Sequence, residues 1–325
     1  MVRASYPTCP FKLALEYKGI FRSRQKHFHE TFCVASAFRY ISDMTQTPPV
    51  VLTIAGFDPS SGAGVTADIK TIAAHGCYGV ACITALTVQS TAGVVRVEPV
   101  GADLVLETLK ELASDIEISA VHIGMLGSVK VVKAVADFLE GEKLENVVLD
   151  PILKSSSGAE LLDSSGARLM IERLVPLATI LTPNVDEASA MTGVAVGNPD
   201  QMKSAALKLH SLGAAAVVVT GGHLEKAIDL LSFTSKRGVQ QEIFKSERLR
   251  SNSTHGTGCA FASAIACHLA LDRGIPEAVL LAKAYITAAI SNAYSLGRGT
   301  GPVHHLYRMH QTARRVNVPD PEPVH

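Results

Sequence analysis

Three observations predict an α/β fold with a mostly parallel central sheet and helices on both faces. Short apolar runs of strand length alternate with helical stretches from residue 50 onward. The runs are apolar throughout, the pattern of strands covered on both sides. Apolar residues supply 47% of the 325, enough to line two faces of one sheet.

The elements follow in chain order. The first strand, 50–55, ends at Gly56-Phe-Asp-Pro59 and leads to a helix at 65–75. A strand at 80–86 precedes a helix at 104–114. The run 120–123 closes on Gly124-Met-Leu126, ahead of a helix at 129–139. The strand 146–149 stops at Asp150-Pro151, with a helix at 164–174 beyond. The run 178–181 ends at Thr182-Pro-Asn184, before a helix at 199–212, and 215–219 ends at Thr220-Gly-Gly-His223. Residues 229–250 read as an antiparallel hairpin turning at Lys236-Arg-Gly238, and helices at 260–273 and 276–296 follow. Ligands of open α/β sheets bind beyond the carboxyl ends of the strands. One such strand end is ordinary turn chemistry, but five carrying Gly, Pro, Asp, Asn or His make one consistent mouth.

No linker or internal repeat divides 44–316, which reads as a single domain. Residues 1–43 mix Phe, Tyr, Arg and Lys without periodicity and lack a signal-peptide core. They read as a disordered leader or an over-extended start, with Met44 as the natural beginning. The tail 317–325 carries Pro319, Pro321 and Pro323 and is expected to be disordered.

Thirty basic residues balance thirty acidic ones, so no global field draws the chain to nucleic acid or to an anionic membrane. Tryptophan is absent, which leaves little for base stacking. Cys9, Cys33, Cys77, Cys82, Cys259 and Cys267 show neither a Cys-x-x-Cys pair nor zinc spacing, so a reducing cytoplasm is the default. No run reaches the roughly 18–20 apolar residues of a membrane helix.

The chemistry centres on His255-Gly-Thr-Gly-Cys-Ala-Phe-Ala-Ser-Ala264, a glycine turn opening into a small, apolar helix. Free N–H groups and the helix dipole make such a start an anion site, and a cysteine just inside it is favoured as a thiolate. That combination suits phosphoryl transfer. On this window alone the turn is equally a plain helix entry and Cys259 a small core residue. No Walker A glycine-lysine loop, dinucleotide fingerprint or Gly-x-Ser-x-Gly is present.

Taken together, the motifs resemble the ribokinase-like superfamily, and within it the hydroxymethylpyrimidine/phosphomethylpyrimidine kinases of thiamine biosynthesis. The likeness rests on Ala55-Gly-Phe-Asp-Pro-Ser-Ser-Gly-Ala-Gly-Val-Thr-Ala-Asp-Ile-Lys70, Thr84-Ala-Leu-Thr-Val-Gln89 and Ile123-Gly-Met-Leu126. It continues through Val148-Leu-Asp-Pro151, Leu181-Thr-Pro-Asn184 with Glu187, Gly221-Gly-His223, His255-Gly-Thr-Gly-Cys259 and Gly301-Pro-Val-His-His305. The resemblance implies ATP- and Mg²⁺-dependent phosphorylation of 4-amino-5-hydroxymethyl-2-methylpyrimidine, then of its monophosphate to the diphosphate. It also implies a cytoplasmic homodimer with a small-molecule substrate.

Carried over by position, Cys259 takes the proton of the substrate hydroxyl, and the amides of Gly256, Thr257 and Gly258 hold charge on the transferring group. Gln89 reads the pyrimidine through the paired donor and acceptor of its amide. The resemblance implies that Met125 packs on the ring, although spacing alone reads it as an ordinary core methionine, and that Gly56, Asp58, Ala63 and Ile152 line the same pocket; for Asp58, capping its own turn is at least an equal reading. Thr220, Gly222, Asn184 and Glu187 face the nucleotide. Asp150, Asn184 and Glu187 hold magnesium, mostly through water, although Asn184 and Glu187 also have the spacing of a capping box. His304 and His305 read as structural.

Two departures from the family pattern stand out. Thr220 occupies a position where relatives often carry Lys, and Ser155-Ser-Ser-Gly158 replaces a more usual Ala-Lys-Ser-Gly or Ala-Thr-Ser-Gly; Lys154 is the nearby cation. Two other functions remain open: a pyridoxal or pyridoxine kinase of the same subfamily, and a pyrimidine sensor without turnover.

Overall fold

The computed structural model describes residues 47–155, 157–222, 227–246 and 251–309. The expected leader 1–43 and tail 317–325 lie outside them. The strands are β1 (Val50–Phe57), β2 (Tyr78–Ser90), β3 (Gly93–Pro99), β4 (Ala120–Ile123), β5 (Val147–Leu149), β6 (Ile180–Leu181), β7 (Ala216–Gly221), β8 (Ala227–Ser235) and β9 (Gly238–Ser246). The helices are α1 (Gly64–Ala74), α2 (Ala102–Asp115), α3 (Val129–Glu142), α4 (Ser164–Arg173), α5 (Val185–Thr192), α6 (Pro199–Ser211), α7 (Thr257–Ala270) and α8 (Ile275–Ser291).

All nine strands form one sheet in the order β3-β2-β1-β4-β5-β6-β7-β8-β9. The six from β2 to β7 are parallel, while β3, and β8 against both its neighbours, pair antiparallel. The parallel sheet and the late hairpin are as expected from sequence. Three details differ. The chain forms β3, an edge strand whose Val95 is 82% exposed and which therefore leaves no buried apolar run to read. Strand β6 is two residues long because Val175–Leu177 form a 3₁₀ turn just before it. Helix α5 is a further short element, built on a capping box.

The apolar strands still alternate across the sheet. Leu52, Ile54, Val121, Ile123 and Leu149 join one core with α2, α3, α4, α5 and α6. Val51, Ala120 and Val148 join the other with α1, α7 and α8. Helix ends are fixed locally: Ser128, Asp163 and Asn198 each accept a backbone N–H from the first turn they precede. Pro199 opens α6 where no N–H is needed.

Strand β1 has β2 on one side and β4 on the other, so successive connections leave it in opposite directions. A crevice opens at the carboxyl ends of strands where the order reverses in this way. Among the described residues no helix is long and apolar enough to cross a membrane.

Candidate active site

Two loops meet at that crevice. The loop after β1 is organised by Asp58, whose Oδ1 accepts from the Ser60 amide (2.8 Å) and hydroxyl (2.7 Å). Its Oδ2 accepts from the amides of Gly62 (3.2 Å) and Ala63 (2.9 Å) and from His255 Nε2 (2.8 Å). Five donors already bind this carboxylate, which favours the capping reading of Asp58. Burial alone would raise this carboxyl; the hydrogen bonds from His255, Ser60 and Ala63 overcome it and hold the group at about 2.

A depressed folded-state value contributes stability above the unfolded value of 3.8 and loses it as pH falls toward 2. For this nearly buried carboxylate the contribution is about 2 kcal/mol. Asp58→Asn is expected to flatten the acid limb of a stability–pH curve between pH 4 and 2, measured by urea unfolding. An unchanged limb would mean that other carboxylates carry it.

The second loop is the turn into α7. Gly256 caps the helix with φ +77°, and a Cβ there would lie 1.8 Å from Gly62 O and 3.2 Å from the Cα of Ala63. The two loops therefore pack backbone to backbone, which only glycine allows at 256. Residues 301–302 brace the turn, with Gly301 O accepting from the His255 amide at 3.0 Å. The Thr257 amide donates to Thr254 O at 3.3 Å, so it is already engaged, contrary to its expected place in the anion cradle. The amides of Gly258 and Cys259, in the first turn of α7, have no acceptor among the described residues.

Cys259 is buried at this helix start, but the expected thiolate is not what the surroundings favour. Burial, then the carboxylates of Asp68 and Asp150, push its thiol well above the ordinary range; the Gly64 N–H, which bonds to it, pulls the other way. Burial, with the negative charges of Asp68, Asp150 and Asp58 nearby, keeps the proton on the sulfur.

Gly56, Met125 and Ile152 lie close together. A Cβ at Gly56 would lie 2.9 Å from Met125 Sδ, and Met125 forms a small apolar cluster with Ala85, Leu161, Val97 and Ile152. Thr84 Oγ1 donates to the Met125 carbonyl and fixes that backbone. Gln89 lies within β2, not in a loop beyond it, and touches both Thr87 Oγ1 and His255 Nε2 at 3.2 Å.

The remaining candidates lie at the ends of β5, β6 and β7. Asp150 Oδ2 lies 3.7 Å from where a Gly258 Cβ would be, and Thr182 Oγ1 donates to Asp150 Oδ1 at 3.2 Å. Asn184 and Glu187 form a reciprocal capping box on α5: Asn184 Oδ1 takes the amides of Asp186 and Glu187, and Glu187 Oε2 takes that of Asn184, all at 2.9 Å. Asn184 Oδ1 is thus engaged in the cap. Thr220 bridges to Asn184, and Gly222 is exposed just after β7. Burial, then Asp150, push Glu187 up to about 8; burial pushes Asp150 up to about 6, against the pull of His122 and Thr182. Two buried carboxylates that resist ionisation together mark a place short of positive charge.

No group of three or more His, Cys, Asp or Glu among the described residues is arranged to ligate a metal. The donor set fits a hydrated Mg²⁺ shared with phosphates, and does not fit an all-protein cage. Lys154 is exposed and pairs through its backbone with Glu160. His304 and His305 are buried in packing, with burial driving His305 down to about 4.

Sequence reasoning missed a buried polar network beneath Cys259. Asp68 on α1 accepts from Thr53 Oγ1 and from Ser263 Oγ, both at 2.7 Å, and its carboxylate lies 3.3 Å from His122 Nδ1. The available signal was a charged residue on the apolar face of α1 and a histidine inside a four-residue buried strand. His255 was also missed as a side chain, because its partners lie 166 and 197 residues away.

A model of the phosphomethylpyrimidine kinase family matches residues 58–304. The chain is 41% identical over 260 residues to the hydroxymethylpyrimidine/phosphomethylpyrimidine kinase of Streptomyces coelicolor, covering 80% of this chain and 95% of that one. It is 43% identical over 258 residues to the thiamine biosynthesis bifunctional protein of Geobacter sulfurreducens, covering 79% of this chain but 52% of that longer one. Among solved structures, an ADP complex of Bacillus subtilis pyridoxal kinase superposes with a TM-score of 0.73 at 34% identity, over 83% of this chain and all of that one.

Proposed function

Because the chain belongs to the phosphomethylpyrimidine kinase family, we propose that it transfers the γ-phosphoryl group of ATP to the hydroxyl of 4-amino-5-hydroxymethyl-2-methylpyrimidine, and then phosphorylates the monophosphate. The observation that carries this reading is the position of the α7 start. That start packs on the 58–64 loop through Gly256 and lies beside Asp150, whose Oδ2 is 3.7 Å from where a Gly258 Cβ would be, which supports a reading with the ring at Gly56, Met125, Ile152 and Gln89 and the nucleotide toward Asp150 and Glu187.

In this reading the free amides of Gly258 and Cys259 bind the transferring phosphoryl group as charge develops on it. Met125 and Ile152 exclude water from the ring, and Gln89 orients it. Held as a thiol, Cys259 would relay the hydroxyl proton, its own S–H passing to a phosphate oxygen as the sulfur takes the proton of the hydroxyl, late in a loose transition state in which bond formation to the nucleophile lags. Asp150 and Glu187 would hold Mg²⁺ through water, and the cation would supply the positive charge that both carboxylates lack. Thr220 and Gly222 would lie along the nucleotide. A cytoplasmic location and a homodimer belong to the same proposal.

The test is a phosphorylation assay on the full chain with Mg-ATP, offering hydroxymethylpyrimidine, its monophosphate and pyridoxal in parallel, with products resolved by mass spectrometry. Pyrimidine diphosphate is the expected product, and its formation would show that Thr220 supports the second step. The superposition on a pyridoxal kinase favours one alternative. Pyridoxal phosphate as sole product would adopt it, and ligand binding without ATP consumption would indicate a sensor.

A further inference from the structure

Gln89 has two side-chain contacts, and their chemistry fixes how its carboxamide must point. At one end stands His255 Nε2, 2.8 Å from Asp58 Oδ2. An ionised carboxylate only accepts, so Nε2 carries a proton; a protonated ring nitrogen cannot accept from an amide N–H. The end of Gln89 that faces His255 is therefore its oxygen.

The other end gives the same answer independently. Thr87 Oγ1 lies 3.0 Å from Phe57 O, an acceptor only, so its single proton is used there. Thr87 then offers Gln89 a lone pair, and the amide end facing it must be nitrogen. With the nitrogen toward His255 and the oxygen toward Thr87, two N–H groups oppose each other and the Thr87 proton is divided between Phe57 O and Gln89; with the oxygen toward His255, no donors clash and the only shared proton is that of Nε2, given mainly to Asp58 Oδ2 at 2.8 Å and more weakly to Gln89 at 3.2 Å. Amide oxygen and nitrogen are alike in shape, and the hydrogen-bond partners decide between them. The oriented relay is closed, because it starts and ends on the consecutive residues Phe57 and Asp58 of one strand end.

We propose that Asp58, His255 and Thr87 lock the Gln89 carboxamide in this single orientation, and that they are positioning residues which set the order of donor and acceptor shown to the substrate ring. The proposal rests on the kinase reading above for the identity of the ring, and on hydrogen-bond logic alone for the orientation. Anchored at both ends, Gln89 keeps one N–H and one oxygen lone pair. A ring nitrogen beside an exocyclic amine satisfies both. A pyridine with an ionised phenol offers only acceptors there, and turning the amide to suit a different ring breaks both anchors at once. Thr87 and Gln89 share one face of β2, while Leu86 and Val88 point outward and are exposed, so strand register presents the pair together.

The experiment pairs a direct readout with a selectivity readout on the full chain. Neutron diffraction of the ligand-free protein locates the Gln89 amide deuterons. Deuterons facing Thr87 are expected, and deuterons facing His255 overturn the lock. Calorimetric titration then compares hydroxymethylpyrimidine with pyridoxal on wild type, Thr87→Val and Thr87→Ser. Thr87→Val is expected to weaken the pyrimidine about tenfold and pyridoxal less than twofold, with Thr87→Ser restoring wild-type behaviour. Equal losses for both ligands, or none, overturn the specificity role. Failure of wild type to bind the pyrimidine would count against the kinase reading, and the deuteron positions would still judge the lock.

Discussion

Cys259→Ala is expected to lower kcat by about 10² to 10⁴-fold, the range a positioned acid–base group contributes. Pyrimidine affinity should stay within about twofold, because the pocket contacts of Met125, Ile152 and Gln89 do not pass through the sulfur. Removing one buried sulfur costs about 1 kcal/mol of stability, too little to unfold a domain of this size. The loss would therefore be chemical. It should appear in single-turnover rates with saturating nucleotide as fully as in the steady state. A variant that keeps most of its rate would mean that the hydroxyl proton leaves by another route, most directly to a phosphate oxygen.

Gly256→Ala is the substitution expected to damage the fold most. The residue has φ +77°, and the new methyl would lie 1.8 Å from Gly62 O and 2.8 Å from its carbonyl carbon. The obstacle is backbone, with no flexible side chain to move aside. Left-handed strain and the forced parting of two loops together are expected to cost about 2–4 kcal/mol. That corresponds to a fall in Tm of roughly 5–15 °C for a domain of this length. The parted loops would also separate His255 from Asp58. Gly141→Ala is the matching control: it lies in α3, meets nothing within 4 Å, and should raise stability by about 0.5–1 kcal/mol. Urea unfolding of both variants checks the pair. A loss at 256 below 0.5 kcal/mol would show that the loops separate freely.

What could be read from the sequence follows the range of the forces involved. Apolar runs such as 120–123 announce buried strands because burial on both faces is written into adjacent residues. The glycine turn at 256–258 and the Asn184–Glu187 cap were legible for the same local reason. The protonation state of Cys259 was not. The helix start that favours a thiolate is local, while the burial that opposes it, and the charges of residues 58, 68 and 150 that add to it, arise only in the fold. Asp58 shows the same limit: four of its five donors are near in sequence, but the fifth, His255, turns a capped turn into one wall of the site. Strand β3 left no signal because an edge that faces solvent needs no apolar pattern.

The packing of the 58–64 loop on the 255–258 turn also has a consequence for synthesis. Asp58 leaves the ribosome 197 residues ahead of His255. At 5–20 residues per second, that interval is roughly 10–40 s. The tip of the β2–β3 hairpin waits longer, since Thr91 O is held by the amide of Thr300 and Gly299 N–H donates to Thr91 Oγ1. A nascent chain can build its first strands and the self-contained Asp58 turn early. The Asp58 loop and the 255–258 turn are joined only when nearly the whole domain has been made. A truncated product that stops before residue 255 can therefore hold much of the sheet while lacking the 255–258 turn, and is expected to be catalytically silent.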